Sequence, residues 1–290
     1  MACIIANSLP KSGTHLLIQL FSSLSFKKNN PHLSVSLVSM EGRNPFGLVR
    51  QYFRKYKGNG NNKGINLDLD SDITKIRVDS IENILRERSN KSYFDAHVPY
   101  SQELEKIIEK VGCKMIYIIR DPRDVAISYV NHMTNELSYP LTGKYMNLCN
   151  QFRNSENIKE RLLMVLNGVL EGDSFVLAPL IERLERSIGW MDSKVACTVQ
   201  FEELIGKRGG GSLELQAKTI NKILDFLGIE LTKEKRAQLG HEIYSSDSKT
   251  FHKGKLGQWK NIMEIAVIDA YEAQLNKVIV DMGYSLSRKI

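Results

Sequence analysis

Lys11-Ser12-Gly13-Thr14 puts one ammonium, one glycine and two hydroxyls into four consecutive residues. Ile4-Ile5-Ala6 comes before them, and Leu16-Leu17-Ile18-Gln19-Leu20-Phe21 follows. That order reads as a buried strand, a tight polar turn and a helix. A helix N-terminus presents unpaired N–H groups and a partial positive charge, so it attracts anions. Gly13 lets backbone approach an anion closely, and Lys11 adds a full charge. The nucleoside-triphosphate loop needs Gly, four residues, then Gly-Lys-Ser/Thr. Here Lys11 precedes Gly13 and enters from the strand side. The order points to a phosphate-bearing ligand other than ATP with magnesium. The competing reading is a plain turn with a surface lysine.

A second group is Arg120-Asp-Pro-Arg-Asp-Val-Ala-Ile-Ser128, with the serine eight residues after the arginine. Arg120 ends an apolar run and Ser128 falls in the next helix, so a fold-back lets both reach one anion. Arginine offers a rigid fork suited to phosphate, and serine a neutral donor. The alternative is a structural pair between Arg120 and Asp121 or Asp124. The third group, residues 250–261, holds three lysines, two glycines and Trp259. It reads as an anion loop anchored by its tryptophan, or as a solvated basic loop.

The elements that must carry these groups follow from apolar periodicity. Strands are expected at Met1–Ala6, Tyr93–Pro99 (ending in a loop), Lys114–Arg120 and Val195–Phe201. Helices are expected at His15–Leu24, Ser80–Arg88, Glu103–Lys110, Val125–His132 and Leu213–Leu227, the last stopped by Gly228. Residues 121–124 read as a turn. Residues 57–64 and 208–212 read as polar, glycine-rich loops. Strands alternating with helices predict an α/β fold, a central parallel β-sheet flanked by helices. Ligands of such sheets bind at the carboxyl ends of the strands. The first turn, the Arg120 turn and the loop around His97 all follow strands, so one cleft can collect them.

The bulk numbers narrow the partners. At 290 residues the chain is near the upper size of one hydrophobic core, so one domain or two small ones fit. Its net charge of +7 suits nucleic acid, an anionic membrane surface or a polyanionic small ligand. With no arginine-rich tract, the small anion ranks first. Cys3, Cys113, Cys149 and Cys197 are scattered, with no metal-ligand spacing and no disulfide framework. No signal peptide and no bilayer-length apolar run are read, which makes the cytoplasm the expected location.

Taken together, Pro-Lys-Ser-Gly-Thr, Arg-Asp-Pro-Arg-Asp with its helical serine, and Lys253-Gly254 followed by Gly257, Trp259, Lys260 and Asn261 resemble the sulfotransferases that use 3′-phosphoadenosine-5′-phosphosulfate (PAPS). The likeness runs from Ser8 to Asn261. Lesser echoes are Gly189-Trp190, Phe201-Glu202-Glu203 and Phe226-Leu227-Gly228. The resemblance implies a single domain over residues 1–290 with a P-loop-like phosphosulfate-binding turn. It implies that Lys11, Ser12, Gly13, Thr14 and His15 hold the 5′-phosphosulfate, with Lys11 on the bridging oxygen. It also implies that Arg120, Ser128, Lys253 and Gly254 bind the 3′-phosphate. Phe201 falls where the family often has an adenine-contacting tyrosine, and His97 where it places a catalytic histidine.

Several positions depart from the family pattern. His252 stands where arginine is usual, Asp95 where many members have lysine, and His15-Leu16 where Thr-Trp is usual. The chemistry suits the residue types. Sulfuryl transfer resembles phosphoryl transfer, with a loose in-line transition state. A histidine can take the acceptor proton, and a lysine can stabilise charge on the leaving oxygen. The expected activity is metal-free transfer to the hydroxyl or amine of a small molecule, polar or cationic because of Asp95. Nucleic-acid binding and membrane insertion are not expected. The alternatives are a non-catalytic nucleotide-binding protein and a P-loop nucleotide kinase. Residues 25–92 and 131–190 are read as the loops that shape the acceptor pocket.

Overall fold

In the computed structural model, every residue of Ile4–Ser8 (β1) is buried, as the central strand of a parallel sheet requires. The structure describes residues 3–29, 64–67, 69, 75–86, 91–135, 143–244 and 256–287. After β1 come α1 (Thr14–Ser23), β2 (Lys27–Lys28), β3 (Gly64–Asn66), β4 (Lys75–Arg77), α2 (Val78–Arg86), β5 (Ser92–Ala96) and α3 (Gln102–Lys110). Then follow β6 (Lys114–Ile119), α4 (Pro122–Asn135), α5 (Gly143–Asn154), α6 (Ile158–Asn167), β7 (Val169–Glu171), β8 (Ser174–Leu177) and α7 (Leu180–Ile188). The rest is β9 (Ala196–Gln200), α8 (Phe201–Leu204), α9 (Leu213–Leu227), α10 (Lys233–Glu242), α11 (Trp259–Ile262) and α12 (Ile265–Asp281).

Five strands form one sheet in the order β2-β5-β1-β6-β9. All four pairings are parallel. Ala6 lies between Asp95 and Ile116, and Ser8 opposite Ile118. The chain runs from β1 out to one edge, returns through β5, then crosses β1 to start β6. Such a reversal of strand order opens a crevice at the strands' carboxyl ends.

Alternate side chains point to opposite faces. Ile5, Phe94, Ala96, Met115, Tyr117 and Ile119 join one core with residues of α3, α4, α6, α7 and α12. Ile4, Ala6, Tyr93, Ile116, Ile118 and Val199 join the other, under Leu16, Leu17, Leu20 and Phe21 of α1 and Ile220, Ile223 and Leu224 of α9. Each of these Ile, Leu, Val, Met and Phe side chains contributes about 1.5–3 kcal/mol when fully buried. The sheet is therefore fixed from both sides, and its carboxyl ends are rigid mounting points.

Several boundaries differ from expectation. β1 reaches Ser8, and Met1 lies outside the described residues. α4 begins at Pro122, inside the expected turn, because proline suits a first helical turn and lacks the N–H that is unpaired there. Phe201 opens α8 instead of ending β9. Within 208–212, a 3-10 turn covers Lys207–Gly209. Residues 57–63 of the polar loop lie outside the described residues, and Gly64 opens β3. The stretches read as acceptor loops contain β3, β4 and α2, then α5, α6, the β7–β8 hairpin and α7. Cys3 and Cys113 are buried thiols with sulfurs 2.7 Å apart, each just before one of the paired strands β1 and β6.

Candidate active site

The first turn is held in an unusual backbone. Lys11 has φ +74° and Gly13 φ +111°, the left-handed region. A non-glycine residue held there costs roughly 1–3 kcal/mol and persists only where the surroundings enforce it. They do so here. Ser12 N–H donates to the Leu9 carbonyl (3.1 Å), and Arg120 Nη1 donates to the Lys11 carbonyl (3.4 Å). Gly13 is the N-cap of α1, and no side chain caps that helix. A Cβ at Gly13 would stand 2.5 Å from Phe201 Cδ2 and 3.1 Å from Ile118 Cδ1. The turn is thus pressed onto the sheet, with the uncapped N-terminus of α1 above the carboxyl end of β1. His15 is the exposed residue of this turn. Its pKa is lowered by partial burial of the ring and then by the ammonium groups of Lys11 and Lys28.

Arg120 is only 5% exposed, and its guanidinium carbon lies 4.3 Å from the centre of the Phe201 ring. That ring, 4% exposed, thus supports both Gly13 and Arg120 from below. Burial lowers the Arg120 pKa, and Asp124 and Glu202 oppose the shift. Neither aspartate in its turn takes Arg120 in a tight pair. Asp121 is held by Arg123, at 3.0 Å from Nε and 2.8 Å from Nη2. Asp124 lies 3.9 Å from Arg120 Nη2 and accepts from Gly257 N–H (2.8 Å) and Trp259 N–H (3.0 Å). The carboxylate therefore ties the end of the basic loop to the Arg120 helix. Trp259 is buried with Arg123 stacked 3.7 Å from its ring centre, so it anchors the loop as expected. Ser128 is one turn beyond Asp124 on the same face of α4 and is the one half-buried residue among the buried 120–130. His252, Lys253 and Gly254 lie outside the described residues.

His97 follows β5 and is half-buried. Its Nδ1 donates to the Ser8 carbonyl at 2.8 Å. Asn7 fixes the neighbouring backbone in both directions. Its Nδ2 donates to the Val98 carbonyl (3.1 Å), and Val98 N–H donates to its Oδ1 (2.9 Å). Trp190 Nε1 donates to the same carbonyl (3.1 Å), which gives the Gly189-Trp190 echo a structural task. Asp95 is buried and meets Lys28 of β2 at 2.8 Å.

The structure thus gathers Lys11–His15, His97, Arg120 and Phe201 at the carboxyl ends of adjacent strands. Sequence reasoning missed Asn7, Lys28 and Asp124 as supports. Glu202, read only as part of a family echo, accepts from Asp121 N–H (3.1 Å) and Tyr284 O–H (2.7 Å) behind Arg120. Burial raises the Glu202 pKa. No group of three or more metal-ligating side chains occurs among the described residues. No described helix is long and apolar enough to cross a membrane.

The chain belongs to one family: the Sulfotransferase domain matches residues 3–283. Cytosolic sulfotransferase 17 of Arabidopsis thaliana is 20% identical over 232 residues, 71% of this chain. That match spans 60% of the relative's own length. Two solved structures share the fold. Mouse sulfotransferase SULT7A1, complexed with PAP, superposes with a TM-score of 0.55 at 19% identity, covering 96% of this chain and 85% of that one. Retinol dehydratase, in complex with androsterone and inactive cofactor PAP, gives 0.56 at 17%, covering 98% and 82%.

Proposed function

We propose that residues 1–290 form one PAPS-dependent sulfotransferase domain that works in the cytoplasm on the hydroxyl or amine of a small, polar molecule. The observation that carries the reading is the shared Phe201 ring. It couples two anion-seeking segments, the α1 turn and Arg120, at the carboxyl end of one sheet. A ligand with phosphates at two ends fits that pair better than a triphosphate does. PAPS, when bound, supplies the sulfuryl group and departs as 3′-phosphoadenosine-5′-phosphate (PAP).

The chain's own residues divide the work. The uncapped N–H groups of α1, with Ser12, Thr14 and His15, orient the 5′ end. Lys11 neutralises charge on the oxygen that leaves sulfur. Arg120 and Ser128 take the 3′-phosphate, joined by His252, Lys253 and Gly254 from the loop that Asp124 secures. Phe201, being buried, serves the nucleotide site by packing against Gly13 and Arg120. His97 takes the acceptor's proton at Nε2, since Nδ1–H is committed to Ser8. Lys28 already supplies the counter-charge to Asp95, so the reason for expecting a cationic acceptor falls away and a polar one remains.

Calorimetry tests the cofactor assignment. PAP should bind tightly without magnesium, and ATP weakly. Magnesium-dependent ATP binding with no PAP binding would overturn the reading in favour of a kinase.

A further inference from the structure

A line of hydrogen bonds joins the candidate base to the phosphosulfate turn. His97 Nδ1 lies 2.8 Å from the Ser8 carbonyl oxygen and 3.2 Å from Ser8 Oγ. Ser8 Oγ lies 2.6 Å from Thr14 Oγ1. Ser8 is 1% exposed and Thr14 8%, so bulk water does not compete for these hydroxyls.

Atom types set the direction at the histidine end of this line. A carbonyl oxygen only accepts, so the short contact puts the ring hydrogen on Nδ1 and the lone pair on Nε2. The same N–H is shared with Ser8 Oγ, which makes that hydroxyl an acceptor. Either hydroxyl can donate in the Ser8–Thr14 contact, and in one of the two directions Ser8 gives its hydrogen to Thr14 Oγ1. Thr14, accepting from Ser8, directs its hydrogen onward at the first turn of α1, where the backbone N–H groups await an anion. Without an anion, the two hydroxyls can also point the other way, with Thr14 donating to Ser8. An anion oxygen beside Thr14 favours one direction, and each donor in such a chain strengthens the next.

We propose that Ser8 is a positioning residue that couples cofactor binding to His97. Its carbonyl fixes the ring tautomer, and its hydroxyl relays the orientation imposed on Thr14 by a phosphate in the α1 turn. The inference rests on the sulfotransferase reading of the site. Its consequence is ordered action: the ring that receives the acceptor's proton at Nε2 is held in its most polarised state only when the turn is occupied. Ser8 touches neither cofactor nor acceptor in this account.

The test is nitrogen-15 NMR of histidine-labelled protein titrated with PAP, with the His97 signals assigned by their loss in His97→Gln. In the wild type, the neutral ring should show Nδ1 protonated and Nε2 bare, and PAP should move the Nδ1–H resonance downfield. Ser8→Ala should bind PAP within about threefold of wild type by calorimetry, since the removed hydroxyl is not a ligand. It should lose most of the PAP-induced movement, and Ser8→Thr should restore it. An Nε2-protonated ring overturns the tautomer assignment. An equal response in Ser8→Ala and wild type overturns the relay while PAP binding leaves the sulfotransferase reading standing. If the wild type does not bind PAP, both fall. Should Ser8→Ala fail to fold, the wild type and Ser8→Thr decide alone, and an unmoved Nδ1–H in either on saturation with PAP counts against the relay.

Discussion

At the scale of single residues, Lys11 carries the heaviest electrostatic task. Its left-handed backbone is held by the Arg120 contact to its carbonyl, so the ammonium leaves the turn from a fixed root. Lys11→Ala should lower turnover by about a hundredfold or more, the usual scale for a lost stabiliser of leaving-group charge. Single-turnover kinetics with the sulfated product quantified would show it, and near-normal rates would remove Lys11 from that role. His15 gives a pH signature. Its folded pKa lies below 6.5, so the unfolded chain binds the proton more readily. The wild type should lose stability as pH falls through the window below that value and regain it as pH rises. His15→Gln should flatten this part of the Tm-against-pH curve. Lys11, Gly13 and Arg120 could be singled out from residue type and local spacing, and His97 only through the resemblance to a family. Asn7, Lys28 and the contacts of Glu202 could not be. Their partners stand 91, 67 and 81 residues away, and no local spacing encodes such a contact.

At the scale of elements, the α1 turn and the Arg120 helix are braced by neighbours. Gly13→Ala would need a Cβ 2.5 Å from the Phe201 ring in a backbone that alanine resists. It should lower Tm and weaken PAP binding together, as thermal denaturation and calorimetry can record. Loss of binding with Tm unchanged would mean that the turn is not braced by Phe201. Asp124→Ala removes the acceptor of two N–H groups at the end of the basic loop. Each donor left in the interior costs about 1–3 kcal/mol. PAP affinity should fall as well, because the loop that carries Lys253 and Gly254 loses its tie to α4. Unchanged affinity in a folded Asp124→Ala protein would exclude that loop from the site. Element type was often readable: α9 was bounded correctly at Leu213–Leu227 with its stop at Gly228, whose left-handed backbone ends it, while Ser212, whose side chain caps its start, reads from sequence only as loop. α5 was missed although its buried residues Leu148, Cys149 and Phe152 keep helical spacing. α7 was harder to see, because buried Arg183 and Ser187 interrupt its apolar stripe.

For the whole molecule, alternation of strands and helices was enough to predict a parallel sheet with ligands at its carboxyl ends. Strand order was not readable, since a parallel pairing depends on where distant segments return. The order matters for function, because β1 sits between β5 and β6 and so brings His97 and Arg120 to either side of the first turn. The helices and hairpin described within 131–190 were also not readable, because their burial, not any motif, defines their place. Sulfuryl transfer from PAPS to a small acceptor with His97 as the base, as proposed, is tested most directly by mass spectrometry of a small-molecule extract incubated with isotopically labelled PAPS and the protein, with His97→Ala in parallel. A labelled, sulfated product and matching PAP are expected with the wild type, persisting in the presence of a chelator. A drop of about a hundredfold or more is expected with His97→Ala, in a variant that still binds PAP. PAP binding with no labelled product from a broad extract, or equal product from His97→Ala, would contradict the proposal.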